Sequence, residues 1–240
     1  MKTLILPDTH GQTEWKDIVN AHSDADKVIF LGDYFDSFNI SGLDQIVNFK
    51  DIIEYKETGK TNVIMLIGNH DYHYFQDIGY TGTSGYQAGV APNITQIIEE
   101  NRHHLQMAYS FDGFLFTHAG VSPVFMNQVF SKNKWKVNNV ANDLNELWKH
   151  KPKSFGFNGY ESSGDNVCQT PIWIRPKSLV YSNKSANPKY NLNKTYIQIV
   201  GHTVVNQIGD KINGYWFVDT LQTSKEYLII EDGIVKINKL

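Results

Sequence analysis

The chain has 240 residues, a formal net charge of −3 at pH 7 and a single cysteine. This length is enough for one large α/β domain with a substantial core, and the small net charge gives no sign of a general polyanion-binding surface. One cysteine, Cys168, excludes an intramolecular disulfide, and no apolar run approaches the roughly 20 residues that span a bilayer. We therefore expect a soluble, cytoplasmic protein with no membrane partner; a nucleic-acid partner is left open but is not indicated by the charge.

The N-terminal third alternates short apolar runs with helical patterns. Apolar residues recur at helical spacing around 14–21 and over 41–55, and Thr13 is the predicted N-cap of the first helix. The alternation predicts right-handed βαβ crossovers and a parallel sheet. The predicted strands of this third are 2–6, 27–31 and 63–67.

The later part of the chain has a different pattern. Residues 109–116 predict a β-hairpin around Asp112 and Gly113, and 137–149 predict a helix. Residues 152–193 are rich in Gly, Ser, Asn, Lys and Pro, and we expect them to form a loop-like insertion in a single domain spanning 1–240. The remaining strand candidates favour a second, largely antiparallel sheet packed against the first. They are 196–200, 214–218, 227–230 and 234–237.

Short polar clusters follow several of the apolar runs. They are Asp8-Thr9-His10-Gly11, Gly32-Asp33-Tyr34-Phe35-Asp36, Gly68-Asn69-His70-Asp71, Thr117-His118-Ala119-Gly120 and Gly201-His202-Thr203. Taken singly, each cluster is compatible with a turn or a structural histidine. In open α/β sheets, however, ligands bind beyond the carboxyl ends of the strands, so the clusters predict one shared site. Carboxylate oxygens combined with imidazole nitrogens are typical ligands of divalent first-row metals.

The ordered set of clusters resembles the calcineurin-like metallophosphoesterase superfamily, in particular its branch of phosphoprotein phosphatases and symmetrical diadenosine-tetraphosphate hydrolases. The resemblance implies an α/β fold, a four-layer α-β-β-α sandwich of two mixed β-sheets flanked by helices. It also implies two divalent metal ions, with manganese favoured and iron, zinc, cobalt or nickel as alternatives. The implied reaction is hydrolysis of a phosphate ester or anhydride by direct attack of a metal-bridging hydroxide.

The resemblance assigns the metal ligands position by position. Asp8 and His10 would hold the first ion, and Asp33 would bridge both ions because its two carboxylate oxygens suit a metal pair. The other three ligands would complete the second ion, and they are Asn69, His118 and His202. Asp219 matches a late Asp of the same branch, for which we expect a supporting role near His202.

A further pair is expected to act on the leaving group. The resemblance makes His70 the general acid and Asp36 the carboxylate that orients it and favours its protonated form. A turn-shaping carboxylate is the alternative for Asp36.

The substrate contacts are less closely defined by the sequence. Protein phosphatases have an Arg after the second Asp of the second cluster, whereas here Ser37 follows it. Arg175, in a Trp-x-Arg-Pro segment that resembles some bacterial members, is the predicted phosphate ligand because a guanidinium binds two oxygens at once. The alternative is an interior arginine paired with a backbone or carboxylate group. Asn69 is a further predicted substrate contact. His73 is predicted either to support the residues of the site or to contact the substrate, and an ordinary surface histidine is the alternative.

The substrate itself stays open: a phosphorylated small molecule, a nucleotide, a dinucleoside polyphosphate, a phosphoprotein or a nucleic-acid end. The missing arginine after Asp36 weakens the phosphoprotein option. A nucleic-acid phosphodiesterase or end-processing enzyme would need a basic groove, for which Lys149, Lys151 and Lys153 are the candidate cluster. A metal-free interaction scaffold of the same fold is the remaining alternative.

Overall fold

The computed structural model describes residues 1–131, 134–159, 161, 163–209 and 211–240. These residues form two β-sheets with helices outside them. The strands are β1 Lys2–Leu6, β2 Lys27–Phe30, β3 Asn62–Leu66, β4 Leu105–Gln106, β5 Tyr109–Phe111, β6 Phe114–Phe116, β7 Ile197–Val200, β8 Tyr215–Phe217, β9 Glu226–Glu231 and β10 Ile234–Lys239. The helices are α1 Glu14–Ala21, α2 Gly42–Thr58, α3 Asn69–Tyr72, α4 Ala91–Glu100, α5 Pro123–Val129, α6 Val140–His150 and α7 Pro176–Lys184.

Both sheets are mixed, which confirms the predicted fold class. The first has six strands in the order β10-β9-β1-β2-β3-β4, with β1 to β4 parallel and β9 antiparallel to both its neighbours. The second has four strands in the order β5-β6-β7-β8, with an antiparallel β5–β6 hairpin at the predicted position and β6, β7 and β8 parallel.

The prediction that the late strands build a largely antiparallel second sheet was wrong. Strand β9 pairs with β1 and β10, so the C-terminal hairpin extends the first sheet, while β7 and β8 join β6 in parallel. Residues 227–230 are buried on both faces of β9. A continuous apolar run of this kind is typical of a strand inside a sheet that is covered on both sides.

Two local predictions also differ from the structure. The stretch 152–193 contains helix α7, which the hydrophobic pattern did not indicate because its buried side includes the polar residues Ser178, Ser182 and Asn183. Asn183 donates a hydrogen bond to the Val121 carbonyl at 3.1 Å, which satisfies its burial. Thr13 does precede α1, but its hydroxyl accepts no capping hydrogen bond there.

Alternate residues of the central strands face different layers of the fold. Ile5 of β1 packs with residues of both sheets, including Phe116 and Ile199, and so lies between them. Its neighbours Leu4 and Leu6 belong to a separate cluster with residues of the helices. This packing of β1 between the sheets and the helices fixes the carboxyl ends of the central strands at one edge of the molecule, where the polar clusters follow.

Among the described residues, no helix is long and apolar enough to span a membrane.

Candidate metal centre

The side chains that follow the strands converge on Asp33. Asp33 offers a ligand atom together with Asp8 and His10 in one group, and together with His118 and His202 in another. The ligand atoms within each group all lie within 4.8 Å of one another, and Asp33 belongs to both groups. The first group comes from the ends of β1 and β2, whereas both histidines of the second follow strands of the other sheet.

Asn69 completes the second group. Its Oδ1 lies 2.8 Å from Nδ1 of His202 and 3.0 Å from Nε2 of His118. Nε2 of His118 also lies 3.2 Å from Oδ2 of Asp33. The structure thus brings together all the residues for which the sequence predicted a ligand role.

A single oxygen of Asp33 faces both groups, whereas the sequence had suggested one oxygen for each ion. Oδ2 lies 3.7 Å from Nε2 of His10 and 3.2 Å from Nε2 of His118. Oδ1 instead accepts a hydrogen bond from the backbone N–H of His70 at 2.9 Å. Oδ2 is therefore the oxygen that both groups share, and the hydrogen bond to Oδ1 holds the carboxylate in place.

His10, His118 and His202 each direct one ring nitrogen into the cluster and the other toward a backbone carbonyl. The carbonyl contact sets the tautomer of the ring. A donor N–H toward the carbonyl leaves the lone pair of the other nitrogen pointing into the cluster, as in metal-binding histidines generally. The pairs are His10 Nδ1 with Phe35 at 2.6 Å, His118 Nδ1 with Leu31 at 2.9 Å, and His202 Nε2 with Trp173 at 3.1 Å.

The backbone of the site is held in an unfavourable conformation. His10, Asp33, Asp36 and His202 have φ values of 44°, 55°, 66° and 65°. Residues other than glycine seldom adopt this left-handed region, and such conformations concentrate at functional sites where the surrounding structure enforces them. The sharp turns after the strands aim these side chains at a common point.

Two glycines allow the close approach of the chain to the carboxylates. A Cβ atom on Gly68 would lie 2.0 Å from Oδ1 of Asp33, and one on Gly201 would lie 2.0 Å from Oδ1 of Asp8. Both contacts are far below van der Waals distance. The glycines of the third and fifth clusters are therefore required by the packing of the carboxylates.

The charges of the cluster fit a bound cation. Asp8, Asp33 and Asp219 are all at most 2 % exposed, and Oδ1 of Asp8 has no hydrogen-bond partner among the described residues. Burial, with the nearby Asp219 charge, raises the pKa of Asp8, and burial with the charge of Asp33 raises the pKa of Asp219 to about 7. Divalent cations would offset this accumulation of negative charge and would give the orphaned oxygen a partner.

The pKa of His118 also reflects the negative charge of the cluster. Burial acts to lower its pKa, but the carboxylates of Asp33 and Asp8 outweigh burial and raise the pKa to about 10. The carboxylates thus favour a proton on this ring when no cation is bound, and a metal ion at Nε2 would replace that proton. Asp219 makes no hydrogen bond to His202 within the described part of the chain, and its charge acts instead on Asp8.

His70 and Asp36 form a pair beside the cluster, as the sequence predicted. Nδ1 of His70 donates to Oδ2 of Asp36 at 3.0 Å. Burial acts to lower the pKa of His70, but the carboxylates of Asp33 and Asp36 outweigh it and raise the pKa. Burial acts to raise the pKa of Asp36, but its hydrogen bond from His70 and its contact with His73 lower it. The pair therefore favours a protonated imidazole next to an ionised carboxylate.

The cluster opens into a cavity of about 700 Å³. Its described lining is His10, Asp33, Asp36, Ser37, Phe38, Asn69, His70, Thr81, Gly82, Thr83, Ser84, Phe157, Trp173, Arg175, His202, Val204, Asp219 and Gln222. Arg175 is the one lysine or arginine in this described lining. Its Nη1 donates to the His202 carbonyl at 3.2 Å and to Oγ1 of Thr203 at 3.1 Å, while Nε donates to the Ser163 carbonyl at 3.0 Å. The side chain thus has the backbone partners of the interior alternative and also faces the cavity, and phosphate binding by Arg175 stays a prediction.

The location of His73 agrees with the supporting role that the sequence allowed and not with a substrate contact. Its side chain is fully buried behind Asp36 and is not part of the described cavity lining. Nε2 lies 3.0 Å from Oδ2 of Asp36, and Nδ1 lies 2.8 Å from Oγ1 of Thr83. His73 thus contacts the carboxylate that orients His70, and it is not an ordinary surface histidine either.

Sequence reasoning missed two supporting residues. Asp71 accepts hydrogen bonds from the backbone N–H groups of Asp33 and Gly68, each at 2.8 Å, and of Tyr34 at 2.7 Å, so it fixes the turn that carries Asp33. Tyr74 donates to Oδ1 of Asp36 at 2.5 Å. The position of Asp71 as the last residue of its cluster was a usable signal, whereas nothing in the pattern marked Tyr74.

Comparison with solved structures finds similar folds. The structure is similar to that of a cold-active protein-tyrosine phosphatase of a psychrophilic Shewanella species, with a TM-score of 0.61, 15 % identity, and coverage of 98 % of this chain and 77 % of that one. It is also similar to a protein serine/threonine phosphatase from Saccharomyces cerevisiae, with a TM-score of 0.56, 13 % identity, and coverage of 100 % and 80 %. At these identities the likeness concerns the fold.

Among curated protein sequences, none matches the chain significantly. A family model described as calcineurin-like phosphoesterase matches residues 1–206, a range that contains every cluster of the site. The chain therefore belongs to the calcineurin-like phosphoesterase family of metal-dependent phosphoester hydrolases.

Proposed function

We propose that the protein is a binuclear metal-dependent phosphoesterase with an active site of the Ser/Thr-phosphatase type, which hydrolyses phosphate esters or anhydrides. The observation that carries the proposal is the position of Asp33. Its Oδ2 is shared by two groups of ligand atoms, and the pair of His70 and Asp36 lies directly beside it.

The residues of the cluster divide the work between two ions. Asp8 and His10 would hold one ion, His118, His202 and Asn69 would hold the other, and Asp33 would serve both because it belongs to both groups of ligand atoms. When bound, such a metal pair lowers the pKa of a shared water and neutralises charge on the phosphoryl oxygens. We propose manganese as the preferred metal.

His70 supplies the proton that the leaving group needs. Its Nδ1 is bound to Asp36, so Nε2 is the nitrogen free to donate. As the bond between phosphorus and the leaving oxygen breaks, the electron pair stays on that oxygen and takes the proton from Nε2. Asp36 holds the ring in this orientation and stabilises its charged form.

The amide nitrogen of Asn69 has no hydrogen-bond partner among the described residues, so we assign it to the substrate.

Arg175 binds the phosphoryl group in this proposal. Nη2 makes no hydrogen bond within the described part of the chain. Burial lowers the pKa of the Arg175 guanidinium, and the carboxylates of Asp33, Asp219 and Asp8 oppose this lowering. We expect Arg175→Ala to raise KM for a phosphomonoester about tenfold, as one charge-assisted hydrogen bond contributes about 1.5–3 kcal/mol. Arg102→Ala is the matched control, since Arg102 pairs with Asp77 outside this cavity. An unchanged KM in Arg175→Ala would remove this residue from the site.

A substrate panel tests the proposed function. The protein is loaded in turn with Mn²⁺, Fe²⁺, Zn²⁺, Co²⁺ or Ni²⁺, and is offered p-nitrophenyl phosphate, its bis-ester, a phosphopeptide and diadenosine tetraphosphate. We expect metal-dependent hydrolysis of the monoester, fastest with Mn²⁺, and the relative rates on the other substrates define the substrate class. Stoichiometric metal binding without hydrolysis of any of them would contradict the proposal.

A further inference from the structure

The cavity wall next to His70 is a loop that has no role in the proposed chemistry so far. This loop, residues 79–89, contributes Thr81, Gly82, Thr83 and Ser84 to the cavity. It also packs against the chain around Asp36. A Cβ atom on Gly85 would lie 2.4 Å from the Asp36 carbonyl oxygen, and Nε2 of Gln87 donates to the Ser37 carbonyl at 2.9 Å. The loop therefore borders both the cavity and the acid pair.

A continuous series of side-chain contacts joins the loop to His70. Oγ1 of Thr83 lies 2.8 Å from Nδ1 of His73, Nε2 of His73 lies 3.0 Å from Oδ2 of Asp36, and the same oxygen accepts the His70 hydrogen bond at 3.0 Å. Because a carboxylate only accepts, the proton of a neutral His73 is placed on Nε2. Nδ1 then accepts from the hydroxyl of Thr83.

One contact in this series is short but poorly directed. Nε2 of His73 is at contact distance from Oδ2 of Asp36, yet it is buried without an aligned hydrogen bond. The other oxygen of Asp36 is firmly held by Tyr74 at 2.5 Å. A small rotation of the His73 ring would align its N–H with Oδ2, and catalytic hydrogen bonds commonly tighten in this way when substrate binds.

The loop is placed to control that rotation. Tyr86 packs edge-on against the His73 ring at 5.2 Å between centroids and stacks on Tyr74 at 5.5 Å. Thr83 holds the ring through Nδ1. A shift of the loop therefore moves the His73 ring relative to Oδ2 of Asp36.

We propose that the loop 79–89 is the wall against which the leaving group lies, and that His73 is a positioning residue that couples this wall, through Asp36, to the general acid His70. The inference rests on the proposed function. When a leaving group packs against the loop, the loop moves the His73 ring so that its Nε2 aligns with Asp36. Asp36 then holds His70 toward the leaving oxygen. His73 does not touch the substrate.

Thr83 offers a near-isosteric test of the coupling. Thr83→Val removes the hydroxyl that holds His73, and Thr83→Ser keeps it. The probes are phenyl phosphate, which needs a proton on its leaving oxygen, and 2,4-dinitrophenyl phosphate, which scarcely does. With saturating Mn²⁺, we expect Thr83→Val to lower kcat about tenfold for phenyl phosphate and less than twofold for the dinitrophenyl ester. Thr83→Ser should keep the wild-type ratio of the two rates.

Controls separate positioning from general damage to the fold. His73→Leu should show the same selective loss as Thr83→Val, and metal content should stay at the wild-type level in both. Thr58→Val alters an exposed hydroxyl at the end of α2 and should change neither rate. Equal slowing of both esters, or a wild-type ratio in Thr83→Val, would overturn the coupling while leaving the phosphoesterase assignment intact. A metal-loaded wild-type protein that hydrolyses neither ester would overturn both.

Discussion

At the scale of single residues, Asp33 is the residue shared by both groups of candidate ligand atoms. Its backbone is left-handed with φ of 55°, its Oδ1 is occupied by the His70 backbone N–H, and its Oδ2 faces both groups of ligand atoms. Burial acts to raise its pKa, but the nearby His118 and His70 outweigh burial and lower the pKa well below its usual range. The carboxylate is thus kept ionised where the two groups of candidate ligand atoms meet.

Asp33→Asn should abolish hydrolysis, with kcat reduced by at least about a thousandfold, because the amide loses the negative charge shared by both ions. Asparagine tolerates the left-handed backbone, so the change concerns charge more than conformation. Metal content and turnover of p-nitrophenyl phosphate are measured together. Asp112→Asn, at a hairpin residue with φ of 46°, is the matched control and should behave as wild type. Retention of both ions and of activity in Asp33→Asn would contradict the bridging role.

Gly201→Ala tests how tightly the ligand shell is packed. The new Cβ would lie 2.0 Å from Oδ1 of Asp8, while Oδ2 of Asp8 accepts the His202 backbone N–H at 2.9 Å, so the clash displaces two ligands at once. We expect metal affinity to fall about 10–100-fold, the range seen when residues that orient ligands are changed. Gly209→Ala, where no described residue lies within 4 Å of the new Cβ, should leave the affinity measured by metal titration unchanged.

At the scale of elements, the caps of α1 and α2 allow a matched comparison. Ser41 accepts a hydrogen bond from the Asp44 backbone N–H at 3.2 Å, whereas Thr13 at the start of α1 makes no such bond. We expect Ser41→Ala to lower the free energy of unfolding by about 1 kcal/mol and Thr13→Ala to change it by less than about 0.5 kcal/mol. Urea unfolding followed by circular dichroism measures both. Equal effects would mean that the hydroxyl bond of Ser41 does not stabilise α2.

The elements also show what the sequence can predict. The central strands were predictable because their burial on both faces leaves continuous apolar runs, and the clusters that follow them mark the edge of the sheet. Helix α7 was not predictable, since Ser182 and Asn183 face the interior and find hydrogen bonds there that no periodicity reveals. The pairing of β9 with β1 joins segments more than 220 residues apart and depends on tertiary packing alone.

The same limit applies within the site. The ligand residues could be assigned from their order along the chain, but the burial of His73 depends on a loop that returns to cover it. Its contact with Thr83, ten residues later, is set by the path of that loop. Local patterns predict which side chains leave a strand end; they do not predict what folds over them.

At the scale of the whole molecule, the centre joins the two sheets. Asp8, His10, Asp33 and Asn69 follow strands of the six-stranded sheet, and His118 and His202 follow strands of the four-stranded one. The second group of ligand atoms therefore spans both sheets, and a cation bound there ties the two halves of the sandwich together. Removal of the metal should thus affect the stability of the fold as well as its chemistry.

Metal binding is therefore expected to stabilise the protein against unfolding. A ligand that binds only the folded state at 100 times its Kd adds about 2.7 kcal/mol per site, and for a chain of this size each kcal/mol raises Tm by roughly 2–4 °C. Saturating Mn²⁺ should then raise the Tm of metal-free protein by at least about 5 °C, reversibly on chelation. Asp33→Asn should lose this shift, and its metal-free Tm should fall below that of wild type, because the mutation removes one partner of a buried charge pair in which His118 and His70 keep the carboxylate ionised. An equal shift in wild type and Asp33→Asn would place the stabilising metal somewhere other than between the two sheets.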